Sequence, residues 1–113
     1  MRDTPCIPSR GDIVWLQFAP QAGHEQSGRR PAVIVSPHAY NQKVGLCLCC
    51  PITGQVKGYP FEVKLPEGLE VAGVVLCDQM KSLDWKAHGA SLIATLPGRV
   101  MKEIQGKILA LIQ

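Results

Sequence analysis

The chain alternates between short apolar runs and segments of glycine, proline and polar residues, a pattern typical of a mainly β fold. Most of the apolar runs are too short for helices, and several are rich in β-branched residues, which favour strands. Turns are predicted at Gly54, at Gly58 and over residues 66–68, where these runs end. The predicted strands cover residues 13–18, 31–35, 46–52, 59–65, 71–77 and 91–95.

Two segments carry helix signals. Ser36 followed by Pro37 is typical of an N-cap and a first helical residue, which predicts a short helix through Asn41, with Gly45 ending this excursion. After Pro97 the apolar residues recur at helical spacing, so an amphipathic C-terminal helix packed on the strands is predicted. Its apolar positions are Val100, Met101, Ile104, Ile108, Leu111 and Ile112.

These elements predict a single domain over residues 1–113, preceded by a flexible arm at residues 1–10. The predicted fold is mainly β with a C-terminal helix, arranged as a small antiparallel barrel or sandwich. Between the first two strands, residues 19–30 are polar and contain nothing to bury, which predicts a long surface loop. Long loops in small domains usually carry function, so a site is expected there.

Composition limits the class of protein without selecting a function. Apolar residues make up 46% of the 113 residues and charged residues 19%, as in an ordinary folded domain. With 12 Lys+Arg against 9 Asp+Glu, the net charge of +3 permits a polyanionic partner but does not require one. No apolar run approaches the roughly 18 residues that span a bilayer, so a soluble protein without a membrane partner is expected.

The five cysteines indicate free thiols. Their number is odd and no secretory signal is visible at the N-terminus, so a reduced, cytoplasmic protein is expected. The spacing of Cys47, Cys49 and Cys50 does not match that of zinc ligands. No glycine-rich loop opens a helix as in phosphate-binding motifs, which argues against a nucleotide-dependent enzyme. We therefore predict buried thiols, no metal and no cofactor.

The order of five segments points to a family. GDIVWLQF is followed by EQSGRRPAVIVSP, CCPIT, KGYPFEV and CDQMKSLDW, and from Arg10 onward the chain resembles the MazF/PemK toxins. The resemblance implies an SH3-like barrel of the CcdB/MazF type that forms a homodimer. It implies an mRNA interferase, a metal-independent endoribonuclease that cleaves single-stranded RNA at selected sequences to 2′,3′-cyclic phosphate and 5′-OH ends and so inhibits translation and growth. It also implies a cognate antitoxin, acidic and partly disordered.

Matched residue by residue, the family motif implies three catalytic residues, Glu25, Arg30 and Thr53. Cleavage by the 2′-hydroxyl needs a group that takes its proton and positive charge beside the phosphate. Glu25 is the candidate base and His24 the runner-up, although without the resemblance a loop carboxylate is more simply solvated. Arg30 would bind the phosphate and, with a pKa above ~12, is an awkward proton donor, so the general acid stays open. Thr53 would bond a phosphate oxygen, or merely cap the turn into Gly54.

Six further residues are candidates for binding RNA. Gln79 suits base edges and Lys81 suits phosphate, although either could belong to a solvated turn. Phe18 is placed to stack on a base at the mouth of the loop. Arg29 is expected to add surface charge, or to anchor its own loop. The full set is Phe18, Arg29, Asn41, Lys57, Gln79 and Lys81.

Two other functions compete with RNA cleavage. Non-enzymatic gyrase poisons that resemble CcdB share the implied fold, but they resemble one another in an aromatic C-terminal tip, whereas this chain ends Ala-Leu-Ile-Gln. The second competitor is a catalytically weak regulator that binds antitoxin and operator DNA. The presence of Glu25, Arg30 and Thr53 favours the ribonuclease over both.

Overall fold

The computed structural model of the chain describes residues 4–18 and 28–113. Within these residues the chain forms eight strands and two helices. The elements are β1 (Thr4–Pro5), β2 (Asp12–Leu16), β3 (Arg30–Ile34), α1 (His38–Val44), β4 (Cys47–Thr53), β5 (Glu62–Lys64), β6 (Val74–Leu76), β7 (Lys81–Leu83), β8 (Ser91–Thr95) and α2 (Gly98–Ile112).

The strands form one antiparallel sheet in the order β1-β8-β2-β3-β4-β6-β5, with β7 paired to β4 beside this path. The mainly β fold with a C-terminal helix is therefore confirmed. The predicted barrel is not closed by hydrogen bonds, because among the described residues the outer strands β1 and β5 do not pair with each other. The sheet is therefore open.

Strand β4 lies at the centre of this arrangement. It pairs with β3 on one side, where Ala32 lies opposite Pro51. On its other side it pairs first with β7 and then, at its end, with β6, where Thr53 lies opposite Val74. One region of the surface therefore contains the start of β3, the end of β4 and the segment between β6 and β7.

Side chains on β2 and β3 alternate between two apolar clusters, as the period of two along a strand requires. Ile13 and Val33 are fully buried in the larger cluster. Val14 and Ala32, each next along its strand, belong to the smaller cluster on the opposite face of the sheet. The same strands therefore support both the core and the face that carries the candidate site.

Helix α2 covers the larger cluster with its first half. Val100, Met101 and Ile104 are buried there, and full burial of such side chains stabilises the fold by about 1.5–3 kcal/mol each. Ile108 is partly buried against the same cluster. Leu111 and Ile112, which the helical spacing also placed on the packed face, are 48% and 70% exposed. The packed face therefore ends about one turn earlier than predicted.

Several predicted boundaries were wrong for local reasons. The predicted strand over 59–65 is observed only as β5, because a turn precedes it in which the Glu62 amide donates to the Tyr59 carbonyl. Strand β7, which the sequence left as a possible turn, pairs with β4. Within the described part of the predicted arm, Thr4 and Pro5 pair with β8 and Pro8 is fully buried, while the flexibility of the arm stays a prediction.

Candidate functional site

Three sequence-predicted residues, Phe18, Arg30 and Lys81, meet around one pocket at the end of the smaller cluster. Arg30 lies opposite Leu16 at the start of β3, and Lys81 lies opposite Cys49 at the start of β7. Both cations are exposed at the surface of an otherwise apolar pocket. We call it the arginine pocket; it is lined by Leu16, Phe18, Arg30, Pro31, Ala32, Cys49, Pro51, Lys81 and Leu83.

A second pocket lies at the end of β4 and contains three more of the predicted residues, Thr53, Lys57 and Gln79. Continuing the antiparallel register from the Ala32–Pro51 pair places Thr53 across from Arg30. The two pockets therefore flank the two candidate catalytic side chains that the structure describes. We call the second one the threonine pocket; it is lined by Thr53, Gln55, Lys57, Tyr59, Glu62, Leu76 and Gln79.

The structure defines one hydrogen bond of the Thr53 hydroxyl. Its Oγ1 accepts a hydrogen bond from the Gln55 amide over 3.1 Å, which is the turn-capping role expected for a threonine at a strand end. This bond uses only a lone pair, so the O–H remains a donor. The structural and the functional interpretation of Thr53 are therefore compatible.

The loop that carries His24 and Glu25 lies outside the described residues, but its base is defined. The Phe18 amide donates to the Gly28 carbonyl over 3.2 Å. A Cβ atom at Gly28 would lie 2.1 Å from the Phe18 carbonyl oxygen, so this close approach requires glycine. We call the pair Phe18 and Gly28 the loop neck. Gly28 is two residues before Arg30, and Phe18 is two residues after Leu16, which lies opposite Arg30. The loop neck therefore lies beside Arg30.

His88 supports the loop neck from the side of the β7–β8 connection. Its ring centroid lies 5.0 Å from that of Phe18, and its Nδ1 lies 2.7 Å from the Gln17 carbonyl oxygen. The Gln17 amide in turn donates to the His88 carbonyl over 2.7 Å. Phe18 is therefore held in a half-buried position at the edge of the arginine pocket.

The neighbouring arginines differ in their surroundings. The Arg29 guanidinium carbon lies 4.3 Å from the centroid of the Trp15 ring, a cation–π contact. Trp15 packs against the larger cluster, on the opposite face of the sheet from Arg30. This contact matches the anchoring alternative given for Arg29, while its predicted contribution to RNA attraction stays a prediction.

Asn41 has a different role from the one predicted. Its side chain is fully buried, so it has no surface with which to contact RNA. Its Oδ1 accepts a hydrogen bond from the Ser36 hydroxyl over 2.6 Å, and its Nδ2 donates to the carbonyls of Pro8 and Ser36. The Trp85 indole donates to its backbone carbonyl over 2.8 Å. The RNA-binding assignment of Asn41 is therefore corrected to a structural one.

The same network explains the start of α1. Ser36 does not cap the helix; its hydroxyl donates to Asn41 and accepts a hydrogen bond from the Leu48 amide over 2.8 Å. Pro37 occupies the N-cap position, without a side-chain hydrogen bond, and Gly45 ends the helix with a φ of 83°. The sequence signal located the helix but assigned the wrong residue to its cap.

Four of the five thiols are buried as predicted, and Cys6 is exposed. Burial is the main cause that raises the pKa of Cys50 to about 12 and that of Cys77 to about 11. Cys49 differs, because a hydrogen bond from the neighbouring Cys47 thiol and the charge of Lys81 lower its pKa. Within residues 4–18 and 28–113, His, Cys, Asp and Glu form no group of three that could hold a metal ion.

The turn that leads into β5 holds residues that the sequence analysis missed. Both Glu62 carboxylate oxygens accept backbone hydrogen bonds, from Lys57 over 2.9 Å and from Gly58 over 2.8 Å. The Tyr59 hydroxyl donates to Asp78 Oδ1 over 2.9 Å. From the segment KGYPFEV the sequence analysis singled out only Lys57, yet its tyrosine and glutamate also line the threonine pocket.

None of the helices in the described part of the chain is long and apolar enough to cross a membrane. In the arginine pocket and the threonine pocket, exposed cations lie beside half-buried apolar and polar side chains. Such a surface suits a ligand that combines negative charge with planar groups. Comparison with known proteins identifies the family to which the chain belongs.

The chain is similar to characterised toxins over nearly its whole length. It is 50% identical over 106 residues to the endoribonuclease toxin MazF of Escherichia coli (strain K12), covering 94% of this chain and 95% of that protein. It is 37% identical over 103 residues to the endoribonuclease PemK of Escherichia coli, covering 88% and 77% of the two chains.

Solved structures agree with this similarity. MazF from Deinococcus radiodurans has a TM-score of 0.83 at 52% identity, over 95% of this chain and 97% of that one. MazF in a MazE–MazF crystal structure from the same organism has a TM-score of 0.88 at 52% identity, over 95% and 96%. The family model described as "PemK-like, MazF-like toxin of type II toxin-antitoxin system" matches residues 9–112. The chain therefore belongs to the PemK-like, MazF-like toxins of type II toxin–antitoxin systems.

Proposed function

We propose that this toxin is an endoribonuclease that cleaves single-stranded RNA at selected sequences without a metal ion. The observation that supports the proposal is that Arg30 lines one pocket with Phe18 and Lys81, while Thr53 lines another with Gln79, at the paired strands β3 and β4. The relatives at 50% and 37% identity are named endoribonucleases, which supports the same activity here.

The chemistry begins with the RNA's own 2′-hydroxyl. Glu25 takes its proton, or His24 does as the runner-up base, and the oxygen attacks the adjacent phosphorus. The bond to the 5′-oxygen breaks, which leaves a 2′,3′-cyclic phosphate on one fragment and, once that oxygen is protonated, a 5′-hydroxyl on the other. No electron carrier or metal is needed to balance this reaction.

Arg30 and Thr53 act on the phosphate during this step. The guanidinium of Arg30 is planar and donates two parallel hydrogen bonds, which suits the oxygens of the crowded phosphorane. The free O–H of Thr53 donates to another of these oxygens. Both groups belong to strands of the folded sheet, so in this proposal they stabilise charge that develops in the transition state.

The two pockets hold the nucleotides on either side of the cut. Phe18 stacks on a base beside the arginine pocket, and Lys81 neutralises a phosphate there. In the threonine pocket Lys57 binds phosphate and Gln79 reads a base edge. Arg29 adds to the attraction for the RNA backbone. Only a few nucleotides are held, since aromatic residues make up only 5% of the chain and cannot form a long stacking channel.

The toxin is also expected to bind protein partners. A crystal structure of the Deinococcus relative is described as MazE–MazF, and one of a mycobacterial endoribonuclease as a complex with its cognate antitoxin. We propose that an acidic, partly disordered antitoxin binds this chain too and covers the cationic pockets. The active form is a homodimer in the cytoplasm, where the toxin halts translation by cutting messenger RNA.

The test is cleavage of a long RNA of known sequence in excess EDTA, with the cut ends mapped. Wild type is expected to cut at one recurring short sequence, and Arg30→Ala to lose this activity. Arg99→Ala is the matched control, because Arg99 is an exposed cation on α2, outside both pockets. No cleavage by wild type would overturn the proposal, and inhibition of DNA gyrase in its place would support the gyrase-binding alternative.

A further inference from the structure

The rings of His88 and Phe18 form a pair at the edge of the arginine pocket. Phe18 follows the end of β2, and His88 lies in the connection between β7 and β8. Their ring centroids are 5.0 Å apart, and the ring planes are inclined by 50°. This separation is within the range of about 4.5–7 Å in which aromatic rings attract each other. The imidazole is therefore a packing partner of the Phe18 ring.

Two hydrogen bonds to Gln17 fix the orientation of the imidazole. The Gln17 amide donates to the His88 carbonyl over 2.7 Å. The His88 Nδ1 lies 2.7 Å from the Gln17 carbonyl oxygen. A carbonyl oxygen only accepts hydrogen bonds, so Nδ1 must carry a hydrogen whether the ring is neutral or charged. The imidazole is thus bonded to the residue directly before Phe18, in one orientation relative to the Phe18 ring.

The turn that carries His88 is itself held by hydrogen bonds. The Ala87 amide donates to Asp84 Oδ1 over 2.9 Å, and the His88 amide donates to the Asp84 carbonyl over 3.0 Å. The Trp85 indole, in the same turn, donates to the backbone carbonyl of the buried Asn41 over 2.8 Å. The turn is therefore anchored to α1, so His88 is presented from a rigid support.

Phe18 gains from this support because it lies past the end of β2. Its side chain is half-buried and lines the arginine pocket beside Arg30 and Lys81. A ring that is already held in one orientation loses little conformational entropy when a base stacks on it. The contact with His88 therefore favours binding of a base without touching the RNA.

We propose that His88 is a positioning residue that holds the Phe18 ring in the orientation in which it stacks on a base of the RNA. This inference rests on the proposed RNA cleavage and names the residue that prepares its stacking site. Stacking on Phe18 contributes equally before and during the reaction, so loss of the support raises KM and leaves kcat unchanged. Displacement of the loop that carries Glu25 would instead lower kcat.

The test measures kcat and KM of wild type and variants on one short RNA that contains the mapped cut site. His88→Ala is expected to raise KM about fivefold or more, toward the value of Phe18→Ala, with the kcat of wild type. His88→Asn keeps a donor for the Gln17 carbonyl but lacks the ring, so it should raise KM as well while preserving the turn. His38→Ala, an exposed histidine of α1 outside both pockets, is the matched control and should behave as wild type.

RNA that lacks a single base separates positioning of Phe18 from other effects. The nucleotide that stacks on Phe18 is the one whose base can be removed so that Phe18→Ala no longer changes KM. On this abasic RNA, His88→Ala is expected to have the KM of wild type too, because the two residues act through the same contact.

Three results would overturn the inference. The first is an equal rise of KM in His88→Ala on the intact and the abasic RNA. The second is the KM of wild type in His88→Asn or in Phe18→Ala on the intact RNA. The third is a lower kcat of His88→Asn with an unchanged KM. Each of them leaves the proposed function intact as long as wild type cleaves RNA, whereas failure of wild type to cleave any RNA removes both.

Discussion

Replacing the buried Asn41 with leucine, which has a similar volume, tests how much the hydrogen bonds of its side chain stabilise the fold. The change removes three side-chain hydrogen bonds, two to Ser36 and one to the Pro8 carbonyl. At about 1 kcal/mol each, these bonds account for about 3 kcal/mol. The Pro8 and Ser36 carbonyls are left without this donor in a buried place, which adds about 1–2 kcal/mol. We therefore expect a loss of about 4–5 kcal/mol in the free energy of unfolding.

The assay is urea unfolding followed by circular dichroism at a fixed protomer concentration, since the stability of a dimer depends on concentration. With an unfolding entropy of about 2.1 cal/mol/K per residue, a loss of about 4 kcal/mol lowers the Tm of a chain this size by about 17 °C. Gln42→Leu, at the exposed neighbouring position, is the control and should change stability by less than about 0.5 kcal/mol. Unchanged stability of Asn41→Leu together with weaker binding of a 2′-deoxy substrate analogue would refute this reasoning and restore Asn41 to the RNA site.

Three further predictions concern the loop neck, the phosphate site and the thiols. Gly28→Ala should lower RNA cleavage about tenfold or more, because its Cβ would press on the Phe18 carbonyl. The control is Gly106→Ala on α2, which has open space around it and should cleave normally. Full activity of Gly28→Ala would contradict the role of the loop neck. Arg30→Lys keeps the positive charge and loses the planar guanidinium, so kcat should fall about tenfold or more with stability unchanged. A variant with the kcat of wild type would exclude bidentate binding of the phosphate by Arg30. The raised pKa of Cys50 predicts stability that is fully present below pH 9 and lost as pH rises toward 12. Urea midpoints should therefore fall less steeply above pH 9 in Cys50→Ala than in wild type, and equal slopes would contradict the prediction.

The sequence predicted the elements whose signals are local. The strand over 91–95 and the helix after Pro97 were located correctly, because apolar periodicity and proline punctuation act over a few residues. Strand β7 was missed, since its sequence, Lys-Ser-Leu, carries no strand signal and its pairing with β4 depends on distant residues. Long-range pairing of this kind is decided by tertiary structure and not by propensity.

The candidate site was predicted in a similarly uneven way. Arg30, Thr53, Lys81 and Gln79 came from the resemblance, and the register of β3 with β4 and of β4 with β7 brings them into one region. Asn41 was misassigned because an asparagine in a short helix has the same sequence signature whether its amide faces solvent or a buried carbonyl. Only the surrounding carbonyls decide between these cases, and they come from segments that are distant in sequence.

The loop neck isolates changes of chain length between residues 18 and 28 from the rest of the domain. The Phe18 amide and the Gly28 carbonyl are joined by one backbone hydrogen bond, so residues inserted between them need not move Arg30 or the sheet beneath it. Doubling the length of such a segment costs only about 0.6 kcal/mol of closure entropy. Insertions that keep Glu25 are therefore expected to be tolerated by the fold, which makes this segment a place where the chain can be lengthened by design.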